Sequence, residues 1–300
     1  MNWLLIAISA HFLFAVVFIV DKFILSKTAL EPAAYAFYVG LLGIVALALA
    51  PFDFALLPVN RILISFLAGF LFVLAIFCFY QSVQLSEISR LAPMVGGMTP
   101  IFTLFFSYLF LAERLTAHQF IAFFLLVIGG VIMLWPRRKP ALVKAPFIKK
   151  LFLALLASLF FAGSFVISKF IYTEQTFING FIWIRIGGFL GAWLFLFWPE
   201  VRQSVFRASR TVRFKVGGLA AANKGLSALS TLLLNYAIAL GSVTLVNALQ
   251  GIQYVFLLII AFFLSRKFPR ILKEQISNGV ILGKIAAICL IGLGLAVLAF

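Results

Sequence analysis

Ten apolar runs, each about as long as a bilayer is thick in helical residues, follow one another along this chain with little between them. They fall at 3–25, 33–51, 62–83, 90–111, 117–135, 151–172, 177–198, 216–240, 243–264 and 279–300. A hydrocarbon core about 30 Å thick is crossed by about 20 apolar residues in a helix, because only a helix satisfies every backbone polar group within one segment. The runs are continuously apolar and lack the alternation of barrel strands, which excludes a membrane β-barrel. The predicted fold is therefore all-α and integral to the membrane, with ten transmembrane helices. The loops left over are too short for a soluble domain.

Composition agrees. Of 300 residues, 65% are hydrophobic and 11% charged, against about 25% charged in a soluble domain. The formal net charge is +16. A nucleic-acid binder would spend such charge on a water-facing surface; here the cations cluster in loops. Loops five, seven and nine carry groups such as Arg137, Arg138 and Lys139, or Arg202, Arg207 and Arg210, or Arg266, Lys267 and Arg270. Odd-numbered loops hold 18 Lys or Arg and even-numbered loops 3. The positive-inside rule then puts the basic loops in the cytoplasm and both termini outside the inner or plasma membrane.

Cys78 and Cys289 both lie inside apolar runs, and the two histidines, His11 and His118, are far apart. No disulfide framework, metal-ligand cluster or nucleotide-binding motif follows, so no metal and no cofactor are expected. The chain starts on Met1-Asn2-Trp3 without a basic leader, so its first run is expected to be a retained helix and not a signal peptide. An integral-membrane enzyme would need a catalytic constellation at one interface, and none is present.

The chain also reads as two copies of a five-helix unit. Phe14-Ala15 and Phe18 align with Phe161-Ala162 and Phe165; Lys22-Phe23-Ile24 with Lys169-Phe170-Ile171; Gly40 with Gly187. Beyond the longer seventh loop, Tyr80 meets Tyr236, Ser86 meets Ser242 and Ala92 meets Ala248. Five is odd, so the second unit must enter the membrane from the other side. Two inverted five-helix repeats result, at 1–135 and 151–300, joined by a basic linker at 136–150.

The stretch from Tyr80 to Leu134 carries a family resemblance. An apolar helix containing Pro100 ends in Leu111-Ala112-Glu113-Arg114-Leu115-Thr116, and the next helix contains Gly129-Gly130. In these features the chain resembles the drug/metabolite transporter superfamily, EamA type. The resemblance implies a transporter of two five-helix units and is silent on substrate. The second unit departs from it, with Ser265-Arg266-Lys267-Phe268 in place of the Glu-Arg pair and Phe256 in place of the proline. Family members are held to keep both termini in the cytoplasm; the loop charges of this chain point the other way.

Ionisable groups at membrane depth are costly and tend to be functional. Arg185 lies about nine residues into the seventh run, some 13 Å from its end at 1.5 Å per residue. Lys224 begins a line of polar residues, with Ser227, Thr231 and Asn235, on one helical face. That face is either the wall of a solute cavity or a polar helix contact. Asn247, Gln250 and Gln253 form a similar row in the ninth run, with the same two readings. Thr99, Thr103 and Ser107 step by four along the fourth run beside Pro100, a candidate gating bend or packing kink. Tyr80, Trp183, Gln81 and His11 are further candidates for cavity lining, His11 more as a packed residue. Asp21 is almost the only carboxylate within a run and is the candidate for ion coupling. Lys22 and Lys169 read as snorkelling cations, and Glu113 with Arg114 as a structural cap.

Together these features predict a secondary transporter that moves a small amino acid-like, zwitterionic or anionic metabolite by alternating access through a central cavity. A flippase for a lipid-linked head group is the alternative. The expected partners are that substrate and the lipid bilayer. One chain holds both units, so a monomer suffices, and a dimer stays open.

Overall fold

The computed structural model describes residues 2–25, 32–85, 88–134, 147–211, 214–265 and 278–299. The basic linker at 136–146, Lys27, Glu31, Ser86 and the ninth-loop cations lie outside the described residues, as does the stretch from Arg266 to Phe268. Most of the described residues are helical, and no strand occurs among them.

In chain order the helices are α1 (Asn2–Leu25), α2 (Pro32–Leu41), α3 (Val59–Leu85), α4 (Ile88–Phe110), α5 (Ala117–Leu134), α6 (Phe147–Glu174), α7 (Phe177–Leu194), α8 (Pro199–Thr211), α9 (Phe214–Leu240), α10 (Val243–Ala248), α11 (Gln250–Ser265) and α12 (Asn278–Ala299). Every predicted run coincides with helix. Among the described residues, six stretches are long and apolar enough to cross a membrane: Asn2–Asp21, Val59–Ser82, Leu151–Glu174, Phe177–Phe197, Val243–Leu264 and Leu282–Ala299. Three shorter apolar helices are Ala36–Leu49, Met94–Phe110 and Ala117–Met133. The eighth predicted run lies in α9, which is 27 residues long. It carries Asn223, Lys224, Ser227, Ser230, Thr231 and Asn235, and this polarity keeps it out of both groups.

Three details differ from the sequence expectation. The second run does not stay α-helical: α2 tightens into a 3-10 helix over Leu42–Leu49. The ninth run is broken into α10 and α11 at Leu249. The seventh loop contains a helix, α8, with a strong division into apolar and basic sides. Its Val205 is buried against α2 beside Phe37, and the Tyr38 hydroxyl donates to the Val205 carbonyl at 3.2 Å. Arg202 stays exposed.

Lipid tails are as apolar as leucine, so helices in a membrane associate through close packing and interhelical hydrogen bonds. Glycine supplies the close approach. A Cβ on Gly69 of α3 would strike the Ile184 carbonyl oxygen and the Gly188 amide of α7. Gly130 of α5 meets the Cα of Gly251 of α11 at 3.1 Å from an imagined Cβ. Buried hydroxyls are mostly satisfied one turn back: Thr103 donates to Thr99 O at 2.8 Å and Ser168 to Ser164 O at 2.7 Å. Ser164 instead donates across to Ala68 O of α3 at 2.8 Å. In the resulting bundle α3 packs on α6 and α7, α1 on α9 and α11, α4 on α6, and α5 on α12.

Candidate functional site

A small cleft lies where α2, α3, α6, α7 and α9 converge. Gly40, Gly43, Gly69 and Gly188 line it where the helices approach one another closely. Phe72, Phe165, Val39, Val73 and Ile184 give it apolar walls. Its polar lining is Ser164, Ser168, Arg185 and Asn235.

Three of these four polar residues already donate to backbone carbonyls. Ser164 and Ser168 donate to backbone carbonyls, as above. Asn235 donates to Thr231 O at 2.9 Å and accepts from the Tyr172 hydroxyl at 2.9 Å. Arg185 differs. Its guanidinium carbon sits 4.8 Å from the Phe181 ring centroid and 5.1 Å from that of Phe72. Its buried Nε has no hydrogen-bond acceptor. No carboxylate lines the cleft; the ion pairs among the described residues are Arg61–Glu174 at 2.7 Å and Lys224–Asp21 at 3.3 Å. Aromatic faces attract a guanidinium but provide no hydrogen-bond acceptor of full strength. The cleft thus presents cationic donors with spare capacity, beside oxygens of Ser164, Ser168 and Asn235 that can accept.

Other predicted site residues lie elsewhere. Lys224 is not in the cleft lining. It pairs with Asp21, which also accepts from Asn223 Nδ2 at 2.9 Å, so the three tie α1 to α9. Thr231 donates to Ser227 O at 2.8 Å, and neither residue lines the cleft. Asn247 is buried and donates to Val243 O at 2.9 Å within α10. Gln250 begins α11, just past the break, and is half-buried. Thr99 is buried, and its hydroxyl has no partner among the described residues. Tyr80 packs edge-on against Phe79. Trp183 donates its indole N–H to Ala55 O at 3.0 Å and stacks on Phe54, which holds the segment after the 3-10 helix against α7. Pro100 is buried within α4.

Two sites of structural chemistry lie at one end of the bundle. Lys169 of α6 donates to Ala239 O at 2.9 Å and Gly241 O at 2.8 Å, meeting the unpaired carbonyls at the C-terminus of α9. Beside it, the Glu113 carboxylate accepts from the Thr244 hydroxyl at 2.9 Å, and Thr244 meets the Ser107 hydroxyl at 2.7 Å. Glu113 reaches α10 because Ala112 takes a left-handed conformation, φ 50°, at the end of α4. Arg114 lies over the Tyr108 ring at 3.5 Å. The Leu111–Thr116 motif is therefore a clamp on the α9–α10 turn.

Sequence alone did not single out Ser164, Ser168, Phe72, Phe165, Phe181 or Tyr172. The spacing of Ser164 and Ser168, one turn apart on α6, was the available signal. The aromatic positions carry none, because phenylalanine occurs 37 times.

Residues 1–135 match the model of the EamA-like transporter family, which bears out the resemblance drawn from the Leu111–Thr116 stretch. The chain is also similar in fold to a solved structure described only as the crystal structure of a protein. The two share 18% identity, with 99% of this chain and 98% of that chain covered and a TM-score of 0.70. No curated protein matches the chain.

Proposed function

We propose that this chain, an integral membrane protein whose first 135 residues match the EamA-like transporter family, is a secondary transporter for a small anionic or zwitterionic metabolite. One observation carries the proposal: the buried Arg185 guanidinium lines a cleft in which no carboxylate lies among the described residues, and its Nε meets no acceptor there. A buried donor without an acceptor is costly. A solute carboxylate or phosphate entering the cleft would supply the missing acceptor, in charge-assisted bonds suited to the planar guanidinium. The acceptor oxygens of Ser164, Ser168 and Asn235 would suit an ammonium or hydroxyl on the same solute.

In this reading ten helices cross the inner or plasma membrane as two inverted five-helix units, at 1–135 and 151–300, with basic loops in the cytoplasm and both termini outside. The packing supports it. The contact of α1 with α9 and α11 has its counterpart in that of α6 with α3 and α4. One relation breaks the symmetry: α3 packs closely on α7, whereas α9 has no comparable packing on α2. Gly218 and Gly225 of α9 face open space. The seventh loop leads into this end of α9, so the cleft would open to the cytoplasm. At the far end of α9, Lys169 and Glu113 hold the turn shut. Alternating access would exchange these two conditions, with Asp21 and Lys224 joining α1 and α9 as the bundles move.

A thermal-shift screen of purified protein against amino acids, organic acids, phosphorylated metabolites and short-chain lipid head-group analogues tests the proposal, since a ligand of the folded state raises its melting temperature. Stabilisation by anions or zwitterions, absent in Arg185→Met, is the expected result. Stabilisation only by cations would refute it. A response confined to lipid head groups would favour the flippase.

A further inference from the structure

A coupled carrier needs a group inside the membrane that takes and releases a proton without breaking the fold. Among the described residues the carboxylates at helices are poor candidates. Asp21 is held by Lys224 and Asn223, Glu174 by Arg61 and Glu113 by Thr244.

His11 is different. It lies near the middle of α1, is 3% exposed, and contacts the ninth run at its break. Its Nε2 is 3.3 Å from Val246 O and its Nδ1 is 3.3 Å from Gln253 Oε1. A backbone carbonyl can only accept, so Nε2 carries a proton in either state. Nδ1 faces a side-chain amide, which can present an N–H or, turned over, a carbonyl. With the N–H inward, Gln253 donates to the lone pair of neutral His11. With the carbonyl inward, it accepts from the imidazolium. One amide rotation therefore satisfies both protonation states at a buried site, where an unsatisfied group would otherwise be costly.

We propose that His11 is the binding site of a coupling proton, with Gln253 as its adaptable partner. The proposal rests on the transporter reading above. On protonation the Nδ1 lone pair takes H⁺ while the Nε2 proton stays in place. An anion at Arg185 and a proton at His11 would then cross as an electroneutral pair.

Helices link the two sites. α1 packs on α11 and on α9, and α9 carries Asn235 into the cleft. From α11 the titratable neighbour is Tyr254, whose hydroxyl lies against Gly96 of α4. From α10, Asn247 and Thr244 are uncharged. From α9, the charged group is Lys224, engaged with Asp21 ten residues beyond His11, or about 15 Å along α1.

The test needs no known solute. The chain has two histidines, and His118 is exposed. In ¹⁵N-histidine-labelled protein in nanodiscs, the His11 signals are those absent from His11→Gln. Between roughly pH 4.5 and 8, Nε2 should stay protonated while Nδ1 gains a proton on acidification, and Gln253→Leu should shift that transition. An Nδ1 signal unchanged across this range overturns the proposal. In proteoliposomes supplied with a ¹⁴C-labelled mixture of amino and organic acids, wild type should accumulate label about tenfold per unit of pH gradient. His11→Gln should retain exchange at equal pH and lose the accumulation. Accumulation surviving in His11→Gln, or wild-type exchange indifferent to the gradient, also overturns it. Absence of all exchange in wild type counts against the transporter reading instead, and the ¹⁵N titration then decides the proton site alone.

Discussion

Replacing Arg185 by methionine should separate binding from folding. In the solute-free protein the guanidinium has a buried Nε without an acceptor and two ring contacts, at 4.8 and 5.1 Å. The unmet donor costs about 1–3 kcal/mol. The ring contacts return about 0.5–1 kcal/mol each. These nearly cancel, and methionine refills the space with a flexible apolar chain that packs well on aromatic edges. Folding stability should therefore change by no more than about 1 kcal/mol, or a few degrees in melting temperature. Binding should change far more. Removing one partner of a buried, hydrogen-bonded charge pair costs about 2–5 kcal/mol, and the lower half of that range corresponds to roughly 30- to 300-fold in affinity. The assay pairs thermal unfolding with titration of the anion found by the screen, followed by uptake into proteoliposomes. If Arg185→Met binds that anion within threefold of wild type, the guanidinium does not hold the solute. If the variant is destabilised by several kcal/mol, Arg185 is a structural cation and the assignment of spare donors is mistaken.

Other positions give sharper structural outcomes. Gly69→Ala should lower stability by about 1–3 kcal/mol, because the added methyl meets α7 backbone that cannot yield; thermal unfolding measures it, and an unchanged midpoint would mean that α3 and α7 are not in contact. Lys169→Met should cost about 2 kcal/mol by leaving the Ala239 and Gly241 carbonyls without their cation, with Lys169→Arg recovering part of the loss in the same assay. A double-mutant cycle on Asp21→Asn and Lys224→Met should give a coupling energy of only about 1 kcal/mol, since both side chains retain some solvent contact. Glu113→Gln should keep the fold and raise amide exchange at the α9–α10 turn, because the neutral amide accepts more weakly from Thr244.

Much of the architecture was legible because the bilayer imposes it. Twenty apolar residues in a row leave the backbone no option but a helix, so the ten apolar runs fall on helix with small errors at the ends. Interruptions were harder to see. The break at Leu249 has no proline beside it to announce it. That break is relieved by a partner, His11, more than two hundred residues away. Helix α8 was missed because a basic loop and a basic amphipathic helix look alike when only charges are counted.

The candidate site was half visible. Arg185 and Asn235 stood out as polar groups at depth, and both reach the cleft. Lys224 stood out for the same reason, yet its charge is answered by Asp21 on a different helix. Sequence by itself determined that this chain is a helical membrane protein and which groups pay for burial, because the cost of removing a polar atom from water belongs to the residue and the medium. Only the tertiary structure decided which of those groups already have partners. Pairing depends on distance and direction between helices, and those are set by glycine contacts such as Gly69 on Gly188 that no spacing along one chain reveals.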